Sequence, residues 1–286
     1  MSKVAIVSDS TATIPLELLN HHTSIYTVPL QVIWKNQIYR DGIDIKSDEF
    51  YKRLVVEKEM PTTSQTTPET FKTLYGQLLD EGYDILSIHI SSRLSGTLDS
   101  AIQAKATFPG ANIELIDSET TSMAMGFQVL TAARAASQGA SLQECKILAE
   151  KCRENSGVYF VVNTLEYLRR GGRIGGAAAF LGSALNLKPI LELRNGRIEA
   201  VERVRTLGKA VDRLLDLFEA KVNKRTPVRI AALHATTPED AAVLLERARS
   251  RFSTSDVNEA FVSTISPVLG THVGPGCLGI AFLAGM

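Results

Sequence analysis

The chain has 286 residues, of which 44% are hydrophobic, and its 31 basic residues are balanced by 31 acidic ones. This length and apolar content suffice for one or two buried cores, and the lack of excess positive charge argues against nucleic acid or an anionic membrane as a partner. The longest apolar runs, such as residues 277–284, are far shorter than the roughly 20 residues that span a bilayer.

The N-terminal residues lack the basic start and apolar stretch of a signal peptide, so we expect a cytoplasmic protein. The three cysteines, Cys145, Cys152 and Cys277, have neither metal-binding nor redox spacing. We therefore expect buried, reduced thiols and neither a metal nor a cofactor.

Short aliphatic runs alternate with helical segments in the first part of the chain. The runs lie at residues 4–8, 85–90, 112–116 and 158–162. This alternation predicts an α/β fold whose N-terminal layer is a mainly parallel sheet flanked by helices.

Helix boundaries in this part are marked by local signals. Thr67 followed by Pro68 predicts a helix start, and the sequence from Ser141 to Glu144 predicts a capping box. Gly82 and Gly139 are expected to end the helices before them.

The pattern changes after about residue 165. A glycine-rich stretch at residues 171–176 is followed by Asn195-Gly196 between two alternating runs, which predicts a hairpin with a type I′ turn. The second half is completed by helices from about residues 206 and 238 and by strands at residues 228–234 and 278–283. We predict two domains, residues 1–163 with an α/β fold and residues 164–286 with an α+β fold.

Two segments are unusually rich in hydroxyl groups. Residues 61–68 present five of them, including Thr63 and Ser64, immediately before a helix, and a polar loop that caps this helix is their simpler explanation. Residues 90–97 connect a strand to a helix, and such a turn directs free N–H groups and the positive helix end at one spot. Ser92, Ser95 and Thr97, around Gly96, would add hydroxyl donors to an anion site, unless Ser95 merely caps the helix.

His272 is surrounded by three glycines and a proline in residues 270–276, which predicts a tight backbone that positions the imidazole. Ser95 and His272 would suit a serine hydrolase acting on a lipid ester, with Asp9 or Asp117 as the orienting acid. The G-x-S-x-G elbow of such enzymes is missing. A structural histidine and a phosphoryl carrier remain alternatives.

Residues 164–175 contain Arg169, Arg170 and Arg173, which predict a positive patch for phosphate or acidic partner groups. A solvated helix end is the alternative, because cations also complement the helix dipole there. His89 and His234 lie on aliphatic strands and are expected to be structural.

The ordered combination of these motifs resembles the DegV family of bacterial fatty-acid-binding proteins over essentially the whole chain. The matching segments are residues 8–10, 61–65, 90–97, 117–118, 164–174, 187–191 and 270–276. The resemblance implies a two-domain carrier, without catalytic residues, that buries a long-chain fatty acid between or along its domains. The carboxylate would be held by Thr63, Ser64 and Ser95, in a segment that also contains Ser92, Gly96 and Thr97, with His272 nearby.

The resemblance also implies a partner, a dihydroxyacetone-kinase-like subunit that phosphorylates the bound carboxylate to an acyl phosphate for phospholipid synthesis. Arg169, Arg170 and Arg173 would then form the docking or phosphate-facing patch. A lipid-sensing regulatory protein is a further alternative, but the chain lacks a helix-turn-helix signature and a basic face.

Overall fold

The computed structural model describes residues 3–182 and 187–286. The strands are β1 (Lys3–Asp9), β2 (Ile25–Val28), β3 (Gln31–Trp34), β4 (Gln37–Arg40), β5 (Thr62–Ser64), β6 (Tyr83–His89), β7 (Ile113–Asp117), β8 (Ser156–Val161), β9 (Lys188–Arg194), β10 (Arg197–Val204), β11 (Val228–His234), β12 (Val257–Thr264) and β13 (Leu278–Ala284). The helices are α1 (Leu16–Asn20), α2 (Ser47–Val56), α3 (Pro68–Asp80), α4 (Thr97–Lys105), α5 (Ser122–Ser137), α6 (Leu142–Asn155), α7 (Glu166–Arg170), α8 (Leu207–Val222), α9 (Pro238–Arg249) and α10 (Pro267–Val273).

The first sheet has the order β2-β1-β6-β7 and is parallel throughout. Its inner strands are continuous buried runs, as a parallel sheet covered on both faces requires. Side chains of α5 and α6, such as Val129 and Ala149, pack on one face. Phe71 and Leu78 of α3, together with Ala101 of α4, pack on the other. The predicted helix-flanked parallel layer is confirmed.

The second sheet has the order β10-β9-β8-β13-β11-β12, and only β11 and β12 run parallel. Its side chains alternate between two cores. Tyr159 and Val161 of β8 pack toward Phe218 of α8 on the outer face. Val158 and Phe160 face the central core between the two sheets. This mixed sheet with helices agrees with the predicted α+β second half.

The position of strand β8 in the predicted alternation of strands and helices suggests that it belongs to the first sheet. This prediction is wrong. Strand β8 pairs antiparallel with β9 and β13 in the second sheet. Its aliphatic composition predicts a buried strand but carries no information about its neighbours. We therefore propose that the two domains divide between α6 and β8, ahead of the boundary expected after residue 163.

A third, small antiparallel sheet has the order β4-β3-β5. The sequence predicts a polar loop at residues 62–64, because three residues with polar side chains show no apolar alternation, but these residues form the edge strand β5, paired with β3. The sheet is anchored by Trp34, which is buried against Phe50 of α2 and donates from its indole nitrogen to the Glu59 carbonyl at 2.8 Å. This sheet holds Thr63 and Ser64 in extended backbone.

Several predicted boundaries are confirmed. Thr67 caps α3 and Ser141 forms a capping box with Glu144 at the start of α6. Asn195 and Gly196 have φ values of 51° and 79°, as a type I′ turn requires. None of the helices in the two described ranges is long and apolar enough to cross a membrane.

His272 lies in the last turn of α10, not in an irregular loop. The glycines serve the packing of this short helix. A Cβ atom at Gly270 would lie 2.5 Å from the Tyr51 hydroxyl of α2, so only glycine permits this close approach. Gly274, with φ of 73°, ends the helix.

Candidate ligand-binding site

A cavity of about 270 Å³ lies where the carboxyl edge of the first sheet meets the inner face of the second. Its polar lining comes from residues 63–65, from Ser95, Arg173 and His272, and from residues 121–122. The rest of the lining is mostly aliphatic and aromatic, and includes Val158, Phe160, Leu168, Leu193, Ile198 and Leu233. The cavity therefore combines a few hydrogen-bonding groups with a large apolar surface.

Thr63 and His272, which lie 209 positions apart, meet in this cavity with 2.9 Å between Oγ1 and Nε2. Burial, reinforced by the charge of Arg173, lowers the pKa of His272 to about 4, so the imidazole is neutral at pH 7. Its Nδ1 is buried and has no partner among the described residues. Because a buried N–H without an acceptor is especially costly, the arrangement favours the proton on Nε2. The Thr63 hydroxyl then accepts from His272 and can donate its own proton to a ligand.

Gly171, the residue that ends α7, allows His272 to occupy this position. A Cβ atom at Gly171 would lie 2.2 Å from His272 Nδ1. Gly171 has helical φ and ψ, which any residue adopts, so glycine is needed here for space and not for conformation. In the sequence, this glycine is recognisable only as part of a glycine-rich stretch, because its contact with α10 joins residues about 100 positions apart.

Ser95 lines the cavity, whereas Gly96 and Thr97, which follow it in the chain, are not part of the lining. The Ser95 hydroxyl lies 2.9 Å from that of Thr97, and it accepts from the Thr97 N–H at 3.3 Å. Thr97 is fully buried and is not part of the lining. A Cβ at Gly96 would overlap the side chain of Gln65, so glycine lets Gln65 reach the cavity wall.

Ser92 is not brought to the cavity. Its side chain is exposed, and its hydroxyl donates to Asp117 Oδ2 at 2.5 Å. The sequence predicts Ser92 at the site together with Ser95, because both belong to one short segment, but the turn directs the two side chains to different places. Asp117 is thereby committed to the Ser92 segment and does not orient His272.

The carboxylate of Asp9 fixes the start of residues 90–97. Its Oδ2 accepts from the Ile90 N–H at 2.9 Å and lies 3.1 Å from His89 Nδ1. The opposite nitrogen of His89 lies 2.7 Å from the Ser87 hydroxyl, which accepts a hydrogen bond from Tyr75. The network is buried, and it fixes the backbone where residues 90–97 leave β6.

These contacts bear on the hydrolase alternative. Ser95 is bonded to Thr97 and His272 to Thr63, so the two do not form the nucleophile and base of a triad. Asp9 and Asp117, the two candidate acids, are engaged elsewhere. The geometry suits binding better than acyl transfer.

The three arginines do not form a single patch. Arg169 and Arg170 are exposed, both pair with Glu166, and their hydrogen bonds lower the pKa of Glu166 to about 2. Arg173 instead lines the cavity, and it donates to the carbonyls of Leu94 at 3.0 Å and Gly171 at 2.7 Å. The chain changes direction after α7 at Gly172, whose φ is 71°, and this turn separates Arg173 from the other two.

Thr121 and Ser122 also line the cavity and were not predicted. They follow β7 and begin α5, just as Ser95 follows β6 and precedes α4. The signal was available in residues 117–122, which contain four hydroxyl groups between a predicted strand and a helix. Cys277, which also lines the cavity, is buried and free, as are Cys145 and Cys152.

No group of three or more potential metal ligands occurs within residues 3–182 and 187–286.

The chain matches the family model described as "Uncharacterised protein, DegV family" over residues 3–285. A DegV domain-containing protein of Streptomyces coelicolor is 40% identical over 279 residues, which are 97% of each chain.

Two solved structures agree closely with the whole chain. A DegV family protein from Thermus thermophilus, described as binding fatty acid, is 38% identical, with a TM-score of 0.92 and 99% of each chain covered. DegV from Bacillus subtilis, described as a fatty acid binding protein, is 36% identical, with a TM-score of 0.88 over 99% of this chain and all of the other. The chain belongs to the DegV family.

Proposed function

We propose that the protein binds one long-chain fatty acid in this cavity and holds its carboxylate near Thr63, Ser64 and Ser95. The observation that carries the proposal is an apolar cavity whose hydrogen-bonding groups are clustered. His272 contacts Thr63. Arg173 donates hydrogen bonds to the carbonyl of Leu94, which precedes Ser95 in the chain, and to the carbonyl of Gly171, which packs against His272. The fatty acid binding described for the relatives from Thermus thermophilus and Bacillus subtilis supports the same ligand.

The energetics favour a cavity that exists before the ligand arrives. Burying about 14 methylene groups at ~0.8 kcal/mol each supplies a gross driving force of roughly 11 kcal/mol. Association and ordering consume ~4 to 15 kcal/mol of it. Tight binding therefore requires that little of the protein be reordered, and the packed sheets on both sides of the cavity meet this requirement.

A buried carboxylate must be compensated, and the site offers two means. The hydroxyl groups donate hydrogen bonds, which favour the ionised form. The guanidinium of Arg173 adds a positive charge, although two of its N–H groups are used by backbone carbonyls. Arg173 lines the same cavity as these hydroxyl groups, which supports its part in holding the carboxylate.

We further propose that the protein does no chemistry of its own and presents the carboxylate to a dihydroxyacetone-kinase-like subunit in the cytoplasm. A carboxylate oxygen would attack the γ-phosphorus of ATP held by that subunit, and ADP would leave, which forms an acyl phosphate for phospholipid synthesis. The exposed Arg169 and Arg170 support this role, because α7 ends at Gly171, directly against His272. A cationic surface therefore adjoins the polar part of the cavity.

Mass spectrometry of an organic extract tests the binding proposal. We expect protein purified from a bacterial host to release a long-chain fatty acid in about equimolar amount. The proposal is wrong if no lipid is released and the protein also fails to bind added palmitate or oleate.

A charge reversal tests the kinase proposal. Arg170→Glu should leave fatty acid affinity unchanged but lower acyl phosphate formation with the kinase subunit. The matched control is Arg249→Glu, at the exposed end of α9 on the outer face of the second sheet. Equal rates for both variants would exclude α7 as the docking surface.

A further inference from the structure

A second cavity of about 300 Å³ adjoins the ligand cavity, and the two share Val158 and Leu193 in their linings. The second cavity lies where β8 begins and β9 ends. Its other lining residues are mainly charged and polar, including Glu119, Arg153, Glu192 and Lys221. The side chains of Val158 and Leu193 therefore separate an apolar space from a polar one.

Leu193 is the more consequential of the two. Val158 is only 3% exposed and is held within the central core, whereas Leu193 is partly exposed and packs against the edge of that core. On the adjacent strand β10, Leu193 is paired with Ile198, which lines the ligand cavity but not the second one. Leucine also extends beyond its Cβ by about three carbon atoms, which truncation to alanine would remove.

We propose that Leu193 is a specificity-determining residue that ends the acyl site and limits the length of the bound chain. The inference rests on the proposed fatty acid binding. An acyl chain that reached past Leu193 would place its methyl end among the charged side chains of the second cavity. Such a chain gains no hydrophobic burial there, so affinity should fall for acids longer than the apolar cavity accommodates.

The test is the affinity of the delipidated protein for saturated fatty acids of increasing chain length, measured by calorimetry. In Leu193→Ala the space vacated by the side chain should admit about two further methylene groups. An acid two carbons longer than the wild-type optimum should then gain about tenfold in affinity over wild type. Leu193→Val should shift the optimum chain length in the same direction by a smaller amount. This variant replaces Leu193→Ala in the test if the alanine variant does not fold.

The matched control is Leu269→Ala, which enlarges the ligand cavity at a position that does not border the second one. This variant should weaken binding at all chain lengths without extending the optimum past that of wild type. An unchanged optimum in both Leu193 variants, or an equal extension in Leu269→Ala, would overturn the role of Leu193. If the wild-type protein binds none of the acids, the proposed fatty acid binding is wrong. If it binds them but the Leu193 variants keep the wild-type optimum, only the role of Leu193 is wrong.

Discussion

Replacing Gly171 by alanine should displace His272 and weaken ligand binding. The new Cβ would lie 2.2 Å from Nδ1 and 2.9 Å from Cε1 of the imidazole, so the ring must withdraw by about 1 Å. That movement breaks the 2.9 Å contact between His272 and Thr63. The backbone itself accepts alanine, because Gly171 has φ of −72° and ψ of −7°.

The expected magnitudes follow from these contacts. Overpacking typically costs about 1–3 kcal/mol, and the lost hydrogen bond about 1 kcal/mol. The lower conformational entropy of the unfolded alanine variant offsets about 0.4–1 kcal/mol. We expect a free energy of unfolding lower by about 2 kcal/mol and an affinity for palmitate lower by about fivefold.

Urea denaturation, calorimetric titration with palmitate and NMR spectra of the imidazole would measure these effects. Gly208→Ala in α8 is the matched control, since its Cβ would have no heavy atom within 4 Å. Wild-type affinity together with unchanged His272 resonances in Gly171→Ala would refute the argument that this glycine makes room for the imidazole.

Thr63→Val should lower palmitate affinity about fivefold by removing one hydrogen bond, whereas Thr62→Val on the exposed side of β5 should not; equal affinities in calorimetry would remove Thr63 from the site. The pKa of His272 is lowered to about 4, so the folded state binds fewer protons than the unfolded state between about pH 6.5 and pH 4. Stability should therefore fall as the pH is lowered through this range, by about 2 kcal/mol at pH 5, and His272→Gln should remove this loss in urea denaturation. Burial raises the pKa of Asp41 to about 6, so the effect of this carboxyl group on stability has the opposite pH dependence to that of His272. The stability that Asp41 contributes at low pH is lost as the pH rises from about 4 to 6. Asp41→Asn should thus steepen the loss of stability on acidification, and a shallower dependence would contradict this assignment.

The candidate site illustrates how far the hydroxyl-rich segments could be interpreted from sequence. Thr63, Ser64, Ser95 and His272 were predicted as site residues, and all four line one cavity. Ser92 belongs to the same kind of motif but bonds to Asp117 outside the cavity. A motif identifies a segment, whereas the direction of each side chain depends on how the turn is packed.

The sequence by itself determined the features that arise from interactions within a few residues. Buried strands, the capping box at Ser141, the proline-initiated start of α3 and the Asn195-Gly196 turn all depend on local hydrogen bonds and backbone preferences. The hydroxyl groups at the start of α4 belong to the same class, because helix ends leave N–H groups without partners wherever they occur.

Only the tertiary structure decided which distant segments meet. It placed β8 in the second sheet, brought His272 to Thr63 across 209 positions, and separated Arg173 from Arg169 and Arg170. These outcomes depend on the packing of helices and sheets against each other, which involves residues far apart in the chain. The cavity itself is of this kind, since its wall combines loops of the first sheet with the inner face of the second.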